Sequence, residues 1–218
     1  MPKLKNTLLS TIPAKDIARL ARRGEELLTK KYDKSSVLYD SVLRFPDKDF
    51  RSNDFLQRVY DMLVAFKMNS RGARLSEPAD FKRTLKKHAD MIQSFAKFKL
   101  EKIKESDSGL TDSICFLFDN LELVQTKSPL VTFSKTMHFL LPDLFMPIDR
   151  RYTLRFFYES TPANQKACFL QVFEQYRQFA HQHSEALKAL VNPKSRWNRS
   201  IPKVIDNVII GYVSNKME

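Results

Sequence analysis

Glycine is scarce, with four residues in 218, and no GxGxxG or GxxxxGK[ST] string can be read. That excludes the common nucleotide-binding loops, which need glycine where backbone must approach phosphate. Cysteine is scarcer still: Cys115 and Cys168 form no CxxC pair. A disulfide scaffold and a cysteine-based zinc site are excluded, and no metal or cofactor is expected. No apolar run approaches the ~18–20 residues of a membrane span, and no apolar signal core follows Met1. A cytoplasmic protein with no membrane partner is the expectation, and composition leaves its oligomeric state open. What is present is an ordinary globular mixture, 43% hydrophobic and 28% charged. It suffices for one good core or two small ones sharing an interface.

Charge is unevenly spread. Lys and Arg number 37 against 25 Asp and Glu, a net of +12. Residues 1–104 hold 24 basic and 13 acidic residues, and residues 105–218 hold 13 and 12. A field of this sign attracts polyanions, nucleic acid first and DNA in particular. Within the basic half, Lys82, Arg83, Lys86 and Lys87 recur at helical spacing and form a stripe suited to a phosphate backbone, or simply a solvated helix face. Arg71 and Arg74 flank Gly72, where backbone and guanidinium groups could grip a phosphate.

The periodicity is helical nearly throughout, and it predicts an all-α bundle of roughly eight to ten helices. Residues 1–104 form a basic helical region and 105–218 a second helical region, as two subdomains or one domain. Helices are expected over Ala14–Lys31 and Ser35–Leu43, then from an Asn53 cap, then from Pro78 through Phe95. Thr111 is expected to cap the next, and Leu130–Leu141 forms a short, very apolar one. Asp149 caps another, Thr161-Pro162 opens a long one, and the last starts near Pro202. Val208-Ile209-Ile210 could be strand by propensity alone. His88 lies on an apolar face and is read as a satisfied core histidine. His181 and His183 are read as surface residues, because a two-residue step on a helix points them apart.

The most informative stretch runs from Val131 to Tyr158. On a helix, Phe133, Met137, Leu140 and Leu141 form its main apolar face, with Lys135 and His138 together on the other side. A lysine on so apolar a helix must snorkel, pair with an anion, or give up its proton more readily than a surface lysine. Asp149 follows the rigid Pro147-Ile148 pair and can accept backbone N–H groups while pointing between the two helices. Arg150 and Arg151 begin the same helix, where a bound phosphate would offset their repulsion from the helix dipole. A purely structural hinge, with Lys135 paired to Asp149 or Asp143, fits the same residues. Further along, Arg196, Trp197 and Arg199 join the only tryptophan to cations. They could stack a base and hold its phosphates, or Trp197 could anchor the last helix.

The string SK-x-x-H-x-L-x-PDLF-x-PIDR-x-YT resembles a motif of a bacterial protein family of unassigned function, with Arg71-Gly72-Ala73-Arg74-Leu75 as a second shared patch. More distantly, the order helix-lysine, connector, Pro-Ile-Asp, helix resembles the helix-hairpin-helix DNA glycosylases. That resemblance implies Lys135 as a nucleophile at the sugar C1′, Asp149 as the catalytic carboxylate and His138 beside them. The chain departs from that superfamily in three ways. Residues 126–134 contain no glycine to build its hairpin, the Lys135–Asp149 spacing is short, and no iron–sulfur cysteine set exists. The alternatives are a non-catalytic nucleic-acid-binding module, in phage defence or DNA maintenance, and a module whose basic half meets an acidic protein.

Overall fold

Proline and short polar side chains set most of the helix starts. The computed structural model describes residue 4 and residues 9–46, 48–69, 74–104, 107–126, 128–158 and 162–216. Helix α1 (Ala14–Leu43) is entered through Pro13, and its backbone leaves helical geometry at Tyr32. The kink falls between the two expected helices, which meet there end to end. Helix α2 (Asn53–Ala65) is capped by Ser52, whose Oγ accepts from the Phe55 N–H at 3.3 Å, one residue before the expected cap. Pro78 occupies the first turn of α3 (Pro78–Lys87). The single helix expected through Phe95 breaks at His88, α4 (Ala89–Ser94) follows, and 3-10 turns cover Phe95–Lys97 and Leu100–Lys102. Helix α5 (Ser108–Asn120) starts after Asp107, ahead of the expected Thr111.

The second half follows the expected order. It comprises α6 (Leu130–Leu140), the five-residue α7 (Thr153–Phe157), α8 (Gln165–Gln182), α9 (Ser184–Leu190) and α10 (Ile201–Asn215). Thr161 lies outside the described residues; α8 starts after Asn164, whose side chain accepts from the Ala167 N–H at 3.0 Å. Asn164→Ala should cost about 1 kcal/mol in a urea melt, the usual worth of such a cap. Val208–Ile210 is helical, because tertiary burial outweighs β-propensity there. Among the described residues the only β pairing is an isolated antiparallel bridge between Leu75 and Val124. The protein is an all-α bundle.

One hydrophobic core runs from Leu9 to Val213 and is shared by both halves of the chain. Helix α10 is its axis: every residue from Ile201 to Gly211 is buried. It packs chiefly against α1. The two backbones touch where glycines face them. A Cβ on Gly24 would sit 2.1 Å from the Asn207 carbonyl oxygen, and one on Gly211 would sit 2.2 Å from that of Leu20. This close crossing brings the charged residues of α10 beside the bend in α1.

The histidines outside the motif depart from expectation in part. His88 is half-buried edge-on to Phe116, and its buried Nε2 has no hydrogen-bond partner among the described residues. Burial, then the Lys87 ammonium, pushes its pKa below the ordinary value, so the ring stays neutral rather than satisfied. His181 is exposed and donates from Nε2 to the Ile103 carbonyl at 2.7 Å, whereas His183 is half-buried against Phe179.

Candidate functional site

The polar residues of the α6 motif tie the following connector back onto the helix. Ser134 Oγ donates to the Val131 carbonyl and accepts from the Ile148 N–H, each at 3.0 Å. His138 uses both ring nitrogens. Nδ1 lies 2.8 Å from the Phe145 carbonyl, and Nε2 lies 2.9 Å from the Tyr39 hydroxyl. A carbonyl can only accept, so Nδ1 carries the proton and Nε2 accepts from Tyr39. Burial pushes the His138 pKa down to about 3, despite the raising effect of the Phe145 bond. The ring is a neutral strut between α1, α6 and the connector. No nitrogen is left over for a reacting group.

The connector so pinned delivers Asp149. Its Oδ1 accepts from the Tyr152 N–H at 2.6 Å, and its own N–H faces Thr153 Oγ1 at 3.3 Å. Arg150 and Arg151, expected to begin the helix, instead lie exposed in the turn before α7. The Arg151 guanidinium stacks over Tyr152 at 5.4 Å, and the Lys31 ammonium approaches the same ring at 5.7 Å.

Lys135 and Asp149 line one pocket of about 50 Å³, together with His138, Lys203 and Asp206. Aromatic rings of Tyr32, Tyr39, Phe66, Phe139 and Trp197 form most of the remaining wall. The Lys135 ammonium sits 4.9 Å from the centre of the Phe66 ring. It makes no salt bridge among the described residues, so its contact with Asp149 is through space. Burial pushes its pKa below the ordinary lysine value; Asp149 and Asp206 pull it back up, and Lys203 and Lys31 push it down. An amine here surrenders its proton more easily than one in water.

Lys203 and Asp206 are the residues that sequence reasoning missed. Each is 4% exposed, and they form an ion pair at 2.5 Å. Lys203 also donates to Asn207 Oδ1 at 3.0 Å. Asn207 donates to Asn198 and Asn198 to Glu25, each at 2.6 Å, and Ser195 donates to Glu25 as well. Burial raises the Asp206 pKa, against the lowering effect of Lys203. The signal was present: a lysine and an aspartate three apart, on one face of an otherwise apolar helix, cannot both reach water.

Of the remaining expected contacts that the structure describes, Trp197 alone lines the pocket. Arg71 falls outside the described residues, and Arg74 is exposed. In the α3 stripe, Lys82 donates to Gln57 at 2.9 Å and Lys86 to Asn53 at 2.6 Å, both across to α2. Arg83 pairs with Asp80, and Lys87 is exposed. Arg196 is exposed, whereas Trp197 is 1% exposed and packs on Tyr39 at 4.9 Å. Arg199 is drawn inward by Asp40 and by the Ser195 carbonyl. The tryptophan is therefore a wall of the pocket rather than a surface platform. Two further clefts of about 420 Å³ open at the surface, one beside Lys99 and Lys188 and the other beside Lys104 and Arg177. Among the described residues no group of His, Cys, Asp and Glu could hold a metal ion, and no helix is long and apolar enough to cross a membrane.

The chain matches no protein-family model, no curated protein and no solved structure.

Proposed function

We propose that this protein binds nucleic acid, DNA in particular, and that the Lys135–Asp149 pocket excises a base in the manner of a DNA glycosylase. The observation that carries the reading is the convergence of a lysine of lowered proton affinity and a fixed carboxylate on one aromatic-walled pocket. An amine nucleophile must be uncharged, and burial favours that state. Neutral Lys135 attacks C1′ while the C1′–N bond breaks and the base leaves with the electron pair, to be protonated by water. Asp149 stabilises the positive charge that develops on the sugar. Loss of the amine proton and opening of the sugar ring, with that proton passing to the ring oxygen, yield an imine that water hydrolyses. Lys31, Arg150 and Arg151 supply cations for the flanking phosphates.

The pocket volume of about 50 Å³ lies well below that of an ordinary ligand site, ~300 Å³ or more. A base therefore enters only as side chains of the wall move aside, among which Phe66 and Tyr32 pack edge to face at 5.6 Å. The same narrowness favours a second reading, a non-catalytic nucleic-acid-binding module in which the four charges merely hold the helices together.

Oligonucleotides carrying damaged bases separate the two. A glycosylase should release base, and Lys135→Ala or Asp149→Asn should cut that release by at least about 100-fold with binding retained. A binding module should release none. Neutralising Lys87, Arg150 and Arg151 should weaken binding and flatten its salt slope under either reading, and a salt-insensitive affinity would sink both.

A further inference from the structure

We propose that the surface cleft beside Lys99 and Lys188 binds a small phosphorylated molecule that carries hydroxyl groups, a sugar phosphate, with its phosphate seated on the first turn of α10. The cleft shares no lining residue with the Lys135 pocket, and the inference does not rest on the glycosylase reading.

A helix end and one buried hydroxyl carry the assignment. The first bond along α10 runs from the Val204 N–H to the Ser200 carbonyl at 2.9 Å. The N–H groups of Ile201 and Lys203 therefore have no earlier turn to bond, and Pro202 has no N–H at all. Ser200 stands at the cap position, where a serine ordinarily accepts from an N–H two or three residues on, and it makes no such bond. It lines the cleft, it is 2% exposed, and its Oγ has no hydrogen-bond partner among the described residues. A hydroxyl so buried is costly to leave unpaired. A phosphate oxygen accepts from such a hydroxyl and is favoured at the positive end of a helix dipole.

The charges of the cleft fit the same ligand. Lys99 and Lys102, at the 3-10 turn, are exposed and form no salt bridge among the described residues. Lys188 comes from α9 and pairs with exposed Glu185 at 2.8 Å. These three lysines outnumber the two acids of the lining, Glu101 and Asp143. The excess draws in one phosphate, and the carboxylates repel a second anion but accept hydrogen bonds from hydroxyl groups. At about 420 Å³ the cleft falls within the range of small-molecule sites, ~300–1,000 Å³, which leaves room for an organic part beside the phosphate.

The test is calorimetric titration of the full-length protein, at constant ionic strength, with ribose 5-phosphate, inorganic phosphate and ribose. Ribose 5-phosphate should bind saturably at one site, inorganic phosphate several-fold more weakly, and ribose not at all. Ser200→Ala removes no hydrogen bond from the free protein, so it should melt at the wild-type temperature or above. It should nevertheless weaken ribose 5-phosphate by about tenfold or more, the worth of one hydrogen bond to a charged group. Lys102→Gln should weaken it as well, whereas Lys104→Gln, in the other cleft, should leave it unchanged. Absence of saturable binding overturns the proposal, and so does an affinity that Ser200→Ala leaves intact or that Lys104→Gln lowers as much as Lys102→Gln. Inorganic phosphate binding as tightly as ribose 5-phosphate overturns the sugar half of the assignment. Should Ser200→Ala fail to fold, the two lysine variants decide. No base release enters the assay, so its outcome and that of the glycosylase reading are separate.

Discussion

Gly211→Ala should be strongly destabilised. The added methyl carbon would lie 2.2 Å from the Leu20 carbonyl oxygen, far inside contact distance, and the obstacle is backbone rather than a flexible side chain. Relief requires α1 and α10 to separate along the crossing that carries the core. Overpacking of this kind costs about 3–5 kcal/mol, at the upper end for single substitutions. For a chain of this length that is a fall in Tm of roughly 10 °C. Gly24→Ala meets the Asn207 carbonyl at 2.1 Å and should behave alike. Gly109→Ala is the control. It lies in α5 with nothing within 4 Å of the new carbon, and it should be neutral or stabilise by about 0.5–1 kcal/mol. Thermal melts of the three variants check the prediction, and a Gly211→Ala protein as stable as wild type would contradict it.

The second large effect concerns acid. His138 has a folded-state pKa of about 3, against an ordinary value of 6.5. Between these values the unfolded chain binds a proton that the folded chain refuses, so stability rises with pH through that window. The His138 contribution is complete above pH 6.5 and is lost as the pH falls toward 3. The slope approaches ~1.4 kcal/mol per pH unit, or about 2 kcal/mol between pH 7 and pH 5. Asp206, whose pKa is raised, acts in the opposite direction above the ordinary aspartate value. The comparison must therefore be with a variant changed at His138 alone. His138→Gln can still donate to the Phe145 carbonyl and accept from Tyr39. Denaturant melts at a series of pH values should show a shallower loss of stability in the variant. Parallel curves would show that the buried imidazole does not govern acid unfolding.

The helices were legible because their apolar periodicity is strong and proline, serine and asparagine mark their starts. Boundaries moved by one to several residues: Ser52 caps α2 in place of Asn53, and α5 starts after Asp107, without a side-chain cap, ahead of Thr111. Placing Lys135 and Asp149 near each other also followed from sequence, since a buried lysine and a capping aspartate are separated only by a short, proline-braced connector. The role of His138 did not follow. Helical spacing puts it beside Lys135, but its partners, Tyr39 and the Phe145 carbonyl, are set by how the chain folds back. For Trp197 the sequence offered both a surface platform and an anchor for the last helix, and the ring is buried against Tyr39, as an anchor would be. Lys203 and Asp206 were hidden because apolar periodicity draws attention to Val204, Ile205 and Val208 and away from the charges between them. A charged pair inside an apolar helix is costly to bury unless its members are paired and hydrogen-bonded, as Lys203 and Asp206 are.

The central claim is that one amine, Lys135, reacts at this pocket with the sugar of a nucleic acid. Incubating the protein with an oligonucleotide that carries an abasic site, reducing with borohydride and mapping the linked peptide tests it directly. The expected result is a covalent adduct on Lys135 that is lost in Lys135→Ala and persists in Lys82→Ala. A protein that forms no adduct, or forms it only at other amines, would contradict it.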